Sequence, residues 1–383
     1  MTILFWLAAA TLAMTIIAAL DLVVGNRTID PLRQVAPDAG PAPPRVSVIV
    51  AARNEERNIR EALQSLLGLE YPDYQLIVVD DRSEDATGTI LDRMAGADRR
   101  LKVIHLDTLP AGWLGKNHAL WTGSRQADGE ILLFTDADIV MEPTLLTRAV
   151  AYMEKNRLDH LAATPSMRMP THLLGMFGAA FVIFFSFFAR PWKARDSRSR
   201  RHIGIGAFNL VWADAYRQVG GHETIRLRPD DDVKLGKILK GAGLRQGVVY
   251  APEFMAVEWY ASLGEVFRGL EKNAFAGTDY RVSQVLLGSV LLALGSTWPF
   301  AAPFVTSGAT RWLNLATAGL ILLAAADSIR FHRFPARYAL GYPLMAAMFI
   351  VILLRTMLLN LWQGGIRWRG TFYPLDELKR NRV

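Results

Sequence analysis

Two apolar patterns divide this chain. Between residues 45 and 135 the apolar side chains come in short, β-branched runs that stop abruptly at polar residues: "RVSVIVAARNE", "YQLIVVDDRSED" and "EILLFTDADIV". Runs without polar alternation read as strands covered on both faces. Between the first two, residues 56–69 place Ile59, Leu63, Leu66 and Leu67 on one helical face. Strand, helix, strand is a βαβ unit. Helices over about 85–94 and 116–127, a short strand at 101–105 and a strand at 130–135 continue the alternation. The prediction is an α/β fold with a Rossmann-like, mostly parallel sheet, whose ligands gather outside the carboxyl ends of the strands.

The second pattern consists of longer apolar runs. Residues 2–20 form a charge-poor stretch of about 19 with no Lys or Arg before it. A signal peptide carries a basic leading segment and a shorter apolar core, so residues 1–24 read as a retained transmembrane helix. Residues 25–44, with "PDAGPAPP", read as a linker, and 45–280 as the α/β domain. Within 281–361, apolar runs at roughly 282–304, 312–326 and 339–361 predict about three membrane segments, the middle one short. Pro299, Pro303 and Pro343 are tolerable there where neighbouring segments cover the freed backbone groups. Residues 362–383 form a basic tail. The 330–337 loop and this tail both look cytoplasmic by their Lys and Arg, yet one apolar segment separates them. One segment is therefore re-entrant, or one basic cluster lies outside. The run at 173–189 is short for a crossing, and a crossing there would put two halves of one domain on opposite sides of the bilayer. It predicts an interfacial or lipid-dipping helix, with a buried core helix as the alternative.

Composition narrows the partners. The chain is 51% hydrophobic with a formal net charge of +7, too apolar for disorder. Basic residues follow the apolar runs, as at 190–201 and at Arg330, Arg333 and Arg337. That distribution suits a phospholipid bilayer surface and gives no reason to expect nucleic acid. There is no cysteine, which excludes disulfides, thiolate metal sites and cysteine nucleophiles. Nothing in the pattern speaks to oligomeric state.

The candidate chemistry is acidic. Asp136 and Asp138 follow a strand and, two apart, can converge on one hard divalent cation such as Mg²⁺, which takes oxygen ligands and substrate phosphates. A plain Asp-rich turn is the alternative. Asp80 and Asp81 end the preceding strand, so one crevice receives carboxylates from two strands; Ser83 or Asp85 can cap the next helix there. A third group, residues 230–232 in "RPDDDVKLG", sits where a helix can start. Lys116, in "LPAGWLGKNHA", lies in a Gly-containing turn from which it can reach a phosphate.

Taken together, "VSVIVAARNEERNI", "YQLIVVDDRSEDAT", "LPAGWLGKNHAL", "LLFTDADI" and "RPDDDVKLG" resemble the family-2 glycosyltransferases, which have the GT-A fold. The likeness covers about residues 45–280 and is strongest to the membrane-bound members associated with hopanoid, carotenoid and other lipid glycosylation. The resemblance implies roles residue by residue. Ala52, Arg53, Asn54, Glu55 and Asp81, with Asp80 beside it, match positions that hold the base and ribose of a nucleotide sugar. Asp136 and Asp138 look like the family's metal pair, gripping the diphosphate through Mg²⁺ or Mn²⁺, and Lys116 matches a lysine near the donor phosphates. Asp232 aligns with the acid that resembles the general base, and Asp231 fills the preceding Glu position. "GIGAFNL", with Gly206, Ala207, Phe208 and Asn209, looks like the glycine-rich segment beside the acceptor.

One departure matters. Processive polysaccharide synthases of the family carry "QxxRW" before the membrane segments, and here the region reads "GEVFRGLEKNAF". Arg268 and Lys272 are four apart on one helix face and can still neutralise a departing diphosphate. The missing motif argues against a growing polymer. The resemblance thus implies an inverting enzyme, in the bacterial cytoplasmic membrane with its catalytic domain facing the cytoplasm. It moves one sugar from a UDP-sugar to a hydroxyl of a membrane lipid, with Asp232 as base. A polyprenyl-phosphate sugar transferase or a polysaccharide synthase of the same fold is the nearer alternative, and a non-enzymatic membrane binding protein the remote one.

Overall fold

The computed structural model describes residues 3–383; the first two residues of the expected membrane anchor lie outside the described residues. The chain divides into two units. An α/β unit takes residues 29–168, 191–258 and 381–383; a helical unit takes the N-terminal helix, 169–190 and 259–380.

Helix α1 (Ile3–Arg27) leads into the α/β unit, which opens with β1 (Asp30–Pro31), β2 (Val46–Ala52), α2 (Ile59–Leu67), β3 (Tyr74–Asp81), α3 (Thr87–Ala95), β4 (Leu101–Leu106), α4 (Gly115–Arg125), β5 (Ile131–Asp136), β6 (Ile139–Met141), α5 (Leu145–Lys155), β7 (His160–Thr164) and β8 (Ser166–Arg168). Helix α6 (His172–Ala189) belongs to the helical unit. The α/β unit then resumes with β9 (Asn209–Trp212), α7 (Ala213–Gln218), α8 (Gly221–Thr224), α9 (Asp231–Gly241), β10 (Gln246–Tyr250) and β11 (Met255–Glu258).

Eight strands form one sheet in the order β1-β10-β7-β9-β5-β2-β3-β4, and β6-β11-β8 form a second, small one. In the large sheet every pairing is parallel except those of β9, which runs antiparallel to β5 and β7. The expected pattern holds where it was strongest. Val48, Ile49 and Val50 of β2 and Leu76, Ile77, Val78 and Val79 of β3 are all fully buried, which is why those runs show no polar alternation. Register then aligns the functional edge: Ala52 stands opposite Asp80, and Ala51 opposite Asp136. The carboxyl ends of β2, β3 and β5 are level. Helix α2 starts later than its apolar period suggests, because Glu55 and Glu56 spend their backbone N–H groups on Thr87 and Asp85 of the neighbouring loop.

The segment read as a linker, 25–44, is partly folded, which corrects that expectation. Helix α1 continues to Arg27, and Asp30 and Pro31 pair with Val249 and Tyr250 at the edge of the sheet. Tyr152 Oη donates to Asp30 Oδ2 at 2.7 Å; this long-range partner is invisible in a Pro-rich sequence. The tail is structured as well. A hairpin of β12 (Gly365–Trp368) and β13 (Thr371–Pro374) follows the last long helix, then α15 (Leu375–Arg380). Beyond it Asn381 accepts from the Leu227 N–H and donates to the Thr224 carbonyl, both at 2.9 Å.

The helical unit contains α10 (Leu263–Glu271), α11 (Val282–Leu292), α12 (Trp298–Val305), α13 (Gly308–Ile329) and α14 (Tyr342–Gln363). A five-residue π turn, Ala293–Thr297, joins α11 to α12; Pro299 just beyond lacks the N–H a regular helix would need there. Among the described residues five helical stretches are long and apolar enough to cross a membrane: Ile3–Arg27, His172–Lys193, Val282–Val305, Gly308–His332 and Ala336–Gln363. Helix α13, expected to be short, spans 22 residues. Several of its polar groups find partners inside the unit: Asn314 Nδ2 and Thr317 Oγ1 donate to carbonyls one turn back, and Ser328 and Asp327 meet Asn26 and Arg27 of α1. The carboxyl ends of α1 and α13 therefore lie together.

Connectivity constrains α6. The strands β7 before it and β9 after it are hydrogen-bonded neighbours in one sheet. Leu174, Phe177, Val182 and Ile183 of α6 are buried, whereas Leu173 and Phe188 are exposed.

Candidate active site

The first part of the site is a pair of loops after β2 and β3, sewn to each other. Asn54 adopts a left-handed backbone with φ of 53°, a conformation Asn tolerates. Its N–H donates to Ser83 Oγ at 3.0 Å, and its side-chain oxygen accepts from the Glu84 N–H at 2.8 Å. Strand alternation sends Asp80 and Asp81 to opposite faces. Asp81 is buried, with Arg82 donating to both its oxygens at 2.7 and 3.0 Å and Arg53 Nη1 3.8 Å away. Two guanidinium groups thus hold this carboxyl group in place behind Ala52, Arg53, Asn54 and Glu55. Asp80, expected beside it, is turned away. It lies 3.0 Å from His105 Nδ1 and accepts from the Ser83 N–H, while His105 Nε2 meets Asp92 at 2.9 Å. Hydrogen bonds from Asp92 and Asp80 raise the His105 pKa against its partial burial.

Helix α4 supplies the next part. A Cβ on Gly115 would stand 2.2 Å from Asp81 Oδ2, so only glycine lets that carboxylate lie against the first turn. Beside it Lys116 Nζ sits 2.9 Å from Asp136 Oδ1 and 3.2 Å from Asp231 Oδ2. Burial alone would lower the lysine's pKa; Asp136, Asp231 and Asp232 outweigh burial and raise it. Asn117 Nδ2 clamps the helix to the 225–228 segment by donating to the carbonyls of Ile225 and Arg228 at 2.8 and 2.9 Å.

Asp136 and Asp138 lie at the end of β5 and in the turn beyond. Burial, then the charges of Asp136 and Glu55, push the Asp138 carboxyl up to about 7. The third part is the loop 204–208 against the start of α9. Asp232 accepts from the Gly206 N–H and from its neighbour Val233 N–H, each at 2.8 Å. Burial, then Asp231, push its carboxyl up to about 7. A Cβ on Gly206 would stand 2.6 Å from Asp136 Oδ2 and 3.5 Å from Asp232 Oδ2. One glycine thus separates the two carboxylates. The rest of that loop is support. The Ala207 carbonyl accepts from Thr135 Oγ1, Phe208 is fully buried, and Asn209 Oδ1 accepts from the Ile205 N–H and meets His160 Nε2.

Asp81, Lys116, Asp136, Asp231, Asp232 and Gly206 are linked through these contacts, whereas Arg268 and Lys272 belong to α10 and its cap in the helical unit, where Lys272 Nζ lies 4.2 Å above the Trp368 ring. Sequence reasoning missed Arg228 and Asn117. Arg228 is buried and donates to Asp230 at 3.0 and 3.2 Å, with Lys234 3.6 Å from the same carboxylate. Asp230 therefore anchors the start of α9. The signal was the "RPDDD" spacing, which carries an arginine two residues before the acids.

Among the described residues no three His, Asp or Glu side chains form a cage for a metal ion. The donor set nonetheless fits a hard cation completed by ligand oxygens. Burial and then the charge of Asp136 raise Asp138, and a Cβ at Gly206 would crowd Asp136.

The profile of glycosyl transferase family 2 matches residues 47–177, which span β2 to the first turns of α6. The chain is 22% identical to the 4,4'-diaponeurosporenoate glycosyltransferase of Staphylococcus aureus, over 87% of this chain and 89% of that protein. It is 34% identical to an uncharacterized glycosyltransferase of Haemophilus influenzae over 32% of this chain and 36% of the other. Among solved structures, the mannosyltransferase PcManGT from Pyrobaculum calidifontis, in complex with GDP-Man and Mn²⁺, superposes with a TM-score of 0.56 at 21% identity, covering 94% of this chain and 99% of that one. That likeness establishes a GT-A-like fold. Residues 47–177 thus carry the family-2 glycosyl transferase match, in an enzyme of the glycosyltransferase class with several long apolar helices.

Proposed function

We propose that this enzyme transfers one sugar from a UDP-sugar to a hydroxyl group of a membrane lipid, with inversion at the anomeric carbon. The observation that carries the reading is the pair of carboxylates, Asp136 and Asp232, on either side of Gly206, with Lys116 bridging from Asp136 to Asp231. Leaving-group stabilisation and proton removal are thereby assigned to two ends of one short gap.

The residues divide the work as follows. Arg53, Asn54 and Glu55 with Asp81 hold the nucleoside; Asp81, held in place by its two arginines, accepts hydrogen bonds from the ribose or base. Asp136 and Asp138 hold Mg²⁺ or Mn²⁺, which when bound supplies Lewis-acid stabilisation of charge on the leaving diphosphate. Lys116 adds a second positive charge at the same end. Asp232, poised near neutrality and oriented by the Gly206 and Val233 N–H groups, takes the proton of the attacking hydroxyl. The oxygen attacks the face opposite the leaving group, and a single displacement inverts the centre.

A lipid acceptor is supported by the membrane helices and by the name of the Staphylococcus relative, a 4,4'-diaponeurosporenoate glycosyltransferase. The acceptor class we assign is hopanoid, carotenoid, sphingolipid or glycerolipid. Such a molecule leaves the bilayer only at a cost of about 0.8 kcal/mol per methylene, so the enzyme must meet it there. We read α1, the 282–305 stretch and α13 as crossings. We read α6 as interfacial, since the strands before and after it pair in one sheet, and α14, an unbroken helix of 22 residues, as long enough for a crossing. We take the catalytic unit to face the cytoplasm at a bacterial inner membrane.

The test is direct. Purified full-length protein, incubated with a panel of UDP-sugars and a total lipid extract, should yield one lipid heavier by one hexose-type unit on mass spectrometry. A ladder of masses would mean a synthase, and activity that survives Asp232→Asn would mean a phosphate acceptor.

A further inference from the structure

Lys116 occupies an unusual position. Its ammonium bridges a strand-end carboxylate proposed to hold the metal and an acid on the first turn of α9, 2.9 Å from Asp136 Oδ1 and 3.2 Å from Asp231 Oδ2. Asp232 lies beside them, so three carboxylates converge on one cation. Without that cation the cluster would be strongly self-repelling. A divalent ion on either oxygen of the Asp136 carboxylate, at its usual distance of about 2.1 Å, would stand close to the ammonium already on Oδ1 and place two cations side by side.

Resting on the proposed metal and donor site, we infer that Lys116 is the internal counter-cation of Asp136 and Asp231, exchanging its hold on Asp136 for the phosphate oxygens when a divalent ion binds with the donor diphosphate. The charge count supports the exchange. The incoming ion replaces the ammonium on Asp136, and the incoming diphosphate gives the ammonium a new anionic partner. The backbone need not move: the Leu114 N–H bonds the Arg226 carbonyl, and Asn117 ties α4 to the Ile225 and Arg228 carbonyls. A lysine stem has four rotatable carbons for the swing. Ion and nucleotide then bind cooperatively, because each removes an obstacle to the other. Free Mn²⁺ or Mg²⁺ competes with the lysine, and a free nucleotide meets a lysine already paired.

The experiment measures Mn²⁺ binding to full-length protein in detergent by electron paramagnetic resonance, with and without UDP, so no turnover is needed. Wild-type protein should bind Mn²⁺ weakly alone and about tenfold or more tightly with UDP. Lys116→Met should bind Mn²⁺ about tenfold more tightly than wild type without UDP, and UDP should add little. Lys116→Arg should keep the wild-type dependence. The proposal is overturned if Lys116→Met, folded by circular dichroism, binds Mn²⁺ no more tightly than wild type without nucleotide. If instead wild type and Asp136→Asn bind Mn²⁺ equally under all conditions, the metal site itself is misassigned, a distinguishable failure that also removes the exchange.

Discussion

The backbone N–H of Gly206 donates to Asp232 Oδ2 at 2.8 Å, and the missing side chain of the same glycine leaves room for Asp136 Oδ2. One residue thus orients the proposed base and keeps it apart from the proposed metal ligand. In Gly206→Ala the new methyl would stand 2.6 Å from Asp136 Oδ2, closer than any real contact. Since a misplacement of about 1 Å near the reacting atoms costs roughly a hundredfold, kcat should fall by about that factor. The melting temperature should move little, because Asp136 is partly exposed and can shift. Steady-state kinetics beside a thermal melt decide it.

The Asp232 carboxyl, pushed up to about 7, must be ionised to accept a proton. Activity should fall about tenfold per unit as pH drops below 7 and level off above it. Asp231→Asn removes the nearest like charge, so the acid limb should move to lower pH; an unchanged profile would refute the coupling. Asp232→Asn should cost about 10²–10⁴ in kcat. The stability sign is opposite to that of activity. A carboxyl raised on folding favours the folded state most below its unfolded value near 4, and that contribution is lost as pH rises through 7.

Asp138 is also pushed up to about 7, by burial and then by Asp136 and Glu55, and a protonated carboxyl is a poor metal ligand. The Mn²⁺ concentration for half-maximal activity should therefore rise by about tenfold between pH 8 and pH 6. Asp138→Asn should require more metal at every pH and show a weaker pH dependence.

Gly115→Ala runs against helix propensity, which favours Ala by about 1 kcal/mol. Here the added Cβ would stand 2.2 Å from Asp81 Oδ2, a carboxylate already held by Arg82. The donor KM should rise at least about tenfold while the acceptor KM stays put. An equal rise in both would place Asp81 outside the nucleotide site.

Asp230 is structural. It pairs with Arg228, which is 2% exposed, and removing one partner of a buried ion pair costs about 3–5 kcal/mol. Asp230→Ala should lower the melting temperature sharply, and adding Arg228→Met should recover part of the loss.

Much of the catalytic unit was legible because its strands are buried on both faces and their polar ends are abrupt. Strand ends and turn chemistry marked Asp80 with Asp81, Asp136 with Asp138, Lys116 and the acids 230–232 as candidates, and the resemblance pointed to Asp81 and Asp232 among them. Asp80 could not be separated from Asp81 until the pleat assigned them to opposite faces, with His105 waiting on one of them. The supports Asn117 and Arg228 were hidden for a related reason: their partners lie 108 and 2 residues away and are backbone carbonyls or a neighbouring acid, which no periodicity announces.

The apolar runs, the acids that end them and the absence of cysteine determined the sheet, the long membrane-type helices and the kind of chemistry. Local hydrophobic burial and hydrogen-bond demand dictate those features over a few residues. Only the tertiary structure decided that Asp136, Asp231 and Asp232 share one lysine, that Gly206 stands between two carboxylates, and that the Pro-rich stretch supplies an edge strand. Each of these depends on distances between residues far apart in the chain, and such distances are set by the register of strands and the packing of helices, not by neighbouring residues.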